Sequence, residues 1–413
     1  MQKQNFTIAL LTVFLIAGII FCLLLFPHEG MKAAMRGVSI WWDVLFPALF
    51  PFFVISEIML GFGIVHFFGT LLDPMMRPVF RIPGIGGFVM TMGFASGYPV
   101  GAKLTSQLWE QKLVNREEGE RLVAFVTSSD PIFLIGAVSV GFFHDASLAP
   151  ILAVAHYGGS LLIGLLMRFH GRKSEPTQQL NAAGKGWIWK RAFDAMHNAR
   201  MKDGRSIGSL LSQSILQSLN LIFVVGGLVV FFSVVLEVLT AAKVMNAMYF
   251  LIQSMLQLTG LPHELSQAVM NGLFEVTLGA KAAGGADASL ALSSKVAIAA
   301  FGLSWAGLSV HAQIVSLLSH TNMRYLPFVT ARFIHALASA AIVLLIWEPM
   351  QQFRRDVAVF FPGYDAQSPL SSFYKLLLPV SGTMALAAFS VIVLLFLAYS
   401  LLKLMYEKVG GSR

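Results

Sequence analysis

The sequence predicts an all-α polytopic membrane protein with about eight transmembrane helices and two re-entrant helical hairpins, arranged as two inverted repeats. Three observations carry that prediction. Hydrophobic residues fill 56% of the 413 positions and charged ones only 12%, and the mean hydropathy is +0.72, a balance that soluble domains do not reach. Apolar runs of spanning length recur along the chain. A short motif in one half also returns in the other.

The spans are expected near 6–26, 43–62, 121–143, 147–169, 211–239, 295–318, 326–347 and 379–404, since about 20 apolar residues are needed to cross the hydrocarbon. The first run is long enough for a retained helix rather than a cleaved leader. Two shorter Gly-rich pieces, 85–113 and 264–294, are broken near their middles and too short to cross twice, so they read as re-entrant hairpins. The stretches before them, 64–80 and 244–258, are less uniformly apolar and suit the membrane surface, although the second also suits a crossing helix. The expected organisation is an N-terminal span and outer loop (1–40), a first repeat (41–169), a basic loop (170–205), a second repeat (206–347), and an outer loop, last span and tail (348–413).

Charge sets the orientation. Residues 168–205 hold nine Lys or Arg against Glu175, Asp194 and Asp203, which is +6 of the chain's +8. Positive-inside bias places that loop in the cytoplasm, and counting spans outward puts both termini there too. The same bias accounts for the basic loop without nucleic acid, so no nucleic-acid partner is expected. Cys22 is the only cysteine, which excludes internal disulfides, Cys-based zinc sites and dithiol redox chemistry. No His-Glu-x-x-His, phosphate loop or Ser-His-Asp set is present, so no enzyme, metal or cofactor is expected.

The repeat pairs Val100-Gly101-Ala102-Lys103 with Leu278-Gly279-Ala280-Lys281, 178 residues later. The same offset aligns a span, a surface segment, a hairpin and two further spans in the same order. Threading puts the first hairpin on the cytoplasmic side and the second outside, which makes the repeats inverted.

Polar residues then locate the site, because hydrocarbon penalises unpaired polar groups and gathers them where helices break around a cavity. The candidates are the first hairpin turn (Ser96, Gly97, Tyr98), the break Thr127, Ser128, Ser129 and Asp130 before Pro131, the second turn with Glu275 and Thr277, and the break holding Ser304, Ser309 and His311. Half-helix N-termini at these breaks offer partial positive charge to an anion. Lys103 and Lys281 either add full charges to a bound dianion or reach the headgroups or pair with Asp130 and Glu275. Asp130 and Glu275 are the candidates for a coupling proton or cation, with helix capping as the alternative for both. Thr127, Ser128 and Ser129 suit a sodium ion or merely satisfy a broken helix.

GYPVGAKLTSQLWEQKLV, followed by ERLVAFVTSSDPIFLIGAVSVGFF, resembles the nucleoside-recognition gate domain of the YlbJ (SpoVV) sporulation membrane proteins, and FEVTLGAK and GLSWAGLS resemble its second gate. The resemblance covers most of the chain. It implies an architecture similar to that of concentrative nucleoside transporters, and transport of dipicolinate from the mother cell across the outer forespore membrane; the expected partners are that small anionic solute and membrane lipid, and the sequence leaves open a second copy or an accessory sporulation protein. The first turn lacks the Gln-Thr-Glu run of nucleoside transporters, so nucleoside binding and sodium dependence are not carried over. On this reading each lysine faces one carboxylate of the dianion. The rivals are a cation-coupled nucleoside-type carrier and a non-transporting sporulation scaffold.

Overall fold

The structure, a computed structural model, describes residues 2–131, 133–177 and 187–351. Among these every regular element is helical. The protein is an all-α polytopic membrane protein: four helices, Ala146–Met167, Ile207–Ala241, Leu292–Leu318 and Tyr325–Ile346, are long and apolar enough to cross a bilayer, and three bent pairs raise the number to as many as seven. These four match four of the expected spans. The last expected span, 379–404, lies outside the described residues.

Helix α1 (Gln2–Leu25) turns by 102° at Pro27 into α2 (Pro27–Ile40). A loop is expected from the sequence at 27–40; instead α2 lies against the long helix that opens the second half. Its small residues allow this, since a Cβ at Gly37 would stand 2.9 Å from the Val230 backbone. A π-helical turn, Trp41–Leu45, leads into α3 (Phe46–Gly61). Helix α4 (Ile64–Phe80) follows, and the first hairpin is α5 (Ile85–Ser96) and α6 (Tyr98–Glu110). Next come α7 (Arg116–Val126), a π-helical limb Phe133–Phe142, and a span whose α-helical parts are α8 (Ala149–Ala153) and α9 (Gly159–Met167). The Asn115 side chain accepts from the Glu118 N–H while Glu118 accepts from the Asn115 N–H, a capping box that fixes where α7 begins.

Within the basic segment the chain forms α10 (Ile188–Asp203), packed on α4. Charge density hid this helix in the sequence. Its exposed Trp187, Trp189 and Phe193 beside arginines and lysines suit a helix lying at the membrane interface.

The second half repeats the order: α11 (Ile207–Ala241), α12 (Asn246–Leu258), a second hairpin of α13 (Ser266–Phe274) and α14 (Val276–Gly284), a broken span of α15 (Leu292–Trp305) and α16 (Gly307–Leu318), and α17 (Tyr325–Ile346). At 13 residues α12 is too short to cross, which places it with α4 as a flanking helix. Each hairpin packs on the broken span of its own half and also reaches the other: α6 packs on α16, and α14 packs on the limb Phe133–Phe142. Tyr98 and Ala102 of the first hairpin share one apolar core with Val276, Ala280, Leu303 and Val310 of the second half.

Candidate functional site

Four interruptions of helix meet at the centre. The first hairpin turns at Gly97, whose φ of 89° with ψ of 179° is open to glycine almost alone. The second turns at Glu275, in extended conformation, whose carboxylate accepts from the Leu278 N–H at 2.8 Å and so caps α14. In the first half α7 ends at Val126, and Asp130 accepts from the Phe133 N–H at 2.8 Å. In the second half α15 ends at Trp305, and Ala306 and Gly307 both take φ of 75°.

Between them lies a cavity of about 40 Å³ lined by Gly97, Tyr98, Pro99, Asp130, Phe133, Glu275, Val276, Thr277, Ser309, Val310 and Gln313, with Leu45, Val225 and Val229 closing one wall. At that size it accommodates one or a few waters and not a ring-bearing solute. The Ser309 hydroxyl has no hydrogen-bond partner and is fully buried. Buried Gln313 adds an amide to the same wall. Neither α6 nor α16 has a side-chain cap, so the N-termini of these two half-helices keep their partial positive charge.

Of the residues expected from sequence, Gly97, Tyr98, Asp130, Glu275, Thr277 and Ser309 line the cavity, and the others do not. Ser96 is buried beside the turn with its hydroxyl unpartnered. Thr127 donates to Val123 O at 2.7 Å, within its own helix. Ser128 Oγ and the Ser129 N–H both meet His156 Nε2 at 2.9 Å. Ser304 Oγ donates to Ser339 Oγ at 2.7 Å. His311 is held between the Tyr325 hydroxyl (2.6 Å) and Trp305 O (3.0 Å), which makes it a satisfied packing residue against the Trp305 ring.

The lysines depart most from expectation. Lys103 forms an ion pair with buried Glu57 of α3, and Lys281 stands exposed. Neither lines the cavity, so the arrangement of one lysine per substrate carboxylate is not what this geometry presents. The repeat offset explains the difference, because the position answering Glu57 in the second half is Val235 and supplies no acid. Pairing of the lysines with Asp130 and Glu275 does not occur either; both carboxylates act as caps.

The cation that does serve the centre is Arg332 of α17, which sequence reading passed over. It is wholly buried and donates to Thr127 O at 2.6 Å and to Ser304 O, bridging the ends of α7 and α15. Half-helix C-termini carry partial negative charge and unpaired carbonyls, and a guanidinium fork satisfies one of each. An arginine in an apolar span is itself a signal of function or structure at that point. Beside it His156 and His335 stack with centroids 5.2 Å apart. His156 accepts the Ser129 N–H on Nε2, so its proton sits on Nδ1 and points to Ser304 Oγ at 2.9 Å; His335 donates from Nε2 to His156 O at 2.8 Å. The two histidines lie 179 residues apart, within one residue of the repeat.

Further contacts tie the halves together. The Tyr98 hydroxyl donates to Leu303 O at 2.8 Å. At the end that carries the basic segment, Glu120 accepts from Arg324 at 2.8 Å and meets His170 at 2.6 Å. Burial raises the affinity of Glu120 for a proton, but the hydrogen bonds from Arg324 and His170 outweigh it and hold the carboxyl below its usual range. Among the described residues no group of three or more His, Cys, Asp or Glu is placed to hold a metal ion.

The chain matches the family model for the Gate domain, nucleoside recognition, over residues 43–144 and 222–321. These two stretches contain the two hairpins and two broken spans. It is also 42% identical over 324 residues to the sporulation integral membrane protein YlbJ of Bacillus subtilis (strain 168), covering 78% of this chain and 79% of that relative. No solved structure matches it.

Proposed function

We propose that this chain, which belongs to the YlbJ family of sporulation integral membrane proteins, carries a small anionic solute across a bilayer by alternating access, with dipicolinate as the first candidate. The observation that supports this reading is the convergence of both hairpin turns and both span breaks on one buried cavity. Breaks of this kind are tolerated at membrane depth only where protein or a water-filled path surrounds them. The uncapped N-termini of α6 and α16 supply positive potential for a carboxylate. In the conformation described the cavity is too small for substrate, so loading would require the hairpins to part. The breakable ties are Tyr98 to Leu303 and Arg332 to the two half-helix ends.

On this reading Asp130 and Glu275 are the groups through which a coupling proton or sodium ion acts. The membrane would be the outer forespore membrane, with both termini in the cytoplasm and transport directed out of the mother cell. A second copy or an accessory sporulation protein would complete the path where one chain does not suffice, and no chemical conversion of the solute is invoked.

One observation favours a second reading, a neutral nucleoside-like solute: the cavity is lined by the carboxyl groups of Asp130 and Glu275, while both lysines stand outside it. Reconstituted liposomes distinguish the two. Saturable uptake of labelled dipicolinate, competed by unlabelled dipicolinate and not by uridine, is expected. Uridine uptake alone would replace the anion reading, and movement of neither would leave the scaffold.

A further inference from the structure

Away from the central cavity, Arg81, Arg168, Phe169 and Arg172 enclose a surface pocket of about 310 Å³. It sits where α4 and α9 end. Its walls are fastened from beneath: buried Arg121 donates to Arg81 O at 2.6 Å, His170 O at 2.9 Å and Gly171 O at 2.9 Å, and Arg81 donates to Arg172 O at 3.1 Å. The Arg172 guanidinium lies 4.9 Å over the Phe169 ring, which holds it at the mouth.

The carboxylates of α7 are already engaged: Glu117 with Arg116, Glu118 with Asn115 and Thr177, and Glu120 with Arg324 and His170. Three arginines therefore line one pocket without an acid among its lining residues. Two helix C-termini amount to about one negative charge between them, which is less than the arginines supply.

We propose that this pocket binds the phosphate of an anionic glycerophospholipid. The source follows from what lies above it. Leu161, Leu162, Leu165 and Leu166 are exposed on one face of the span, and that face runs down to exposed Phe169 at the pocket. Acyl chains lying along the leucines bring a headgroup phosphate to the arginines, and an aromatic ring at that level is the usual occupant of the membrane interface. Arginine forks match phosphate oxygens in pairs. The basic segment that follows marks this leaflet as the cytoplasmic one.

The test uses the full chain in detergent, titrated with dioleoyl-phosphatidylglycerol or dioleoyl-phosphatidylcholine and read by native mass spectrometry. Phosphatidylglycerol is expected to bind in preference, and R168Q/R172Q to weaken it roughly 30-fold, at about fivefold per charge lost. R168K/R172K, which keeps the charges, is expected to retain the preference. Excess inorganic phosphate is expected to leave the lipid bound. Equal binding of the two lipids, unchanged affinity in the glutamine variant, or equal loss in the lysine variant would overturn the proposal. Displacement by phosphate alone would also overturn it, by making the ligand a soluble anion.

Discussion

Replacing Arg332 tests whether the two broken spans are held by one side chain. The guanidinium satisfies Thr127 O and Ser304 O at once, and each bond involves a charged donor. Such bonds contribute about 1.5–3 kcal/mol net, so Arg332→Met removes about 3–6 kcal/mol of local stability. Loss of the buried charge returns some of its desolvation cost, which places the expected effect near the lower end. About 3 kcal/mol corresponds to roughly 150-fold in the local opening equilibrium. Arg332→Lys keeps the charge but presents no fork, so one of the two carbonyls is abandoned and exchange in one break rises roughly tenfold, while the other stays protected. Amide hydrogen exchange read on peptides covering 127–131 and 304–308 measures both. Unchanged exchange in both segments of the methionine variant would refute the account of Arg332 as a shared tie.

Glu275→Gln keeps an oxygen to cap α14 but cannot titrate, whereas Glu275→Ala loses both; transport retained in the glutamine variant, with a stability loss of about 1 kcal/mol only in the alanine variant, would make Glu275 a cap and not a proton carrier. Lys103→Gln removes the ion-pair partner of Glu57 and leaves it only the longer-range attraction of Arg205, at a cost of about 3 kcal/mol, the lower end for a broken buried pair, while Lys103→Met with Glu57→Met recovers most of it; detergent thermal unfolding of the three forms measures this, and transport by the double variant would separate the pair from substrate binding. Gly97→Ala forces an L-residue into φ near 89° and is expected to cost about 1–3 kcal/mol in folded yield and stability. The folded-state pKa of Glu120 is depressed, so its contribution is full above the ordinary carboxylate pKa and is lost as pH falls through the folded value; an unfolding titration from neutral pH into acid should show that slope, and Glu120→Gln should flatten it.

The sequence carries the architecture because the hydrocarbon reads simple signals. Span 295–318 against Leu292–Leu318, and hairpin 85–113 against α5 and α6 ending at Glu110, agree to within a few residues because long apolar runs and Gly-Pro punctuation define them. Glu275 and Asp130 are legible as members of the centre because acids are rare at that depth. The lysines are misleading for a different reason. A repeated motif preserves a residue's place on its own helix, but its partner lies on another element, and there the halves have diverged to Glu57 and Val235. Arg332, His156 and His335 escape because they sit on helices that look regular, and nothing in their neighbourhood shows that the ends of two other helices come to them.

The two breaks have the same shape by different means. The first is held by side chains, with Ser128 and Ser129 against His156, while the second is held by backbone, with Ala306 and Gly307 in left-handed conformation and Gly307 so close to Glu275 that a Cβ would stand 3.0 Å from its Cα. Duplicated halves with identical interiors would make the inward-open and outward-open forms equal in energy. Halves stiffened by different chemistry cannot, so alternating access, as proposed for this chain, would start from a preferred resting face before any gradient acts, a preference adjusted at serine and histidine on one side and at small-residue positions on the other.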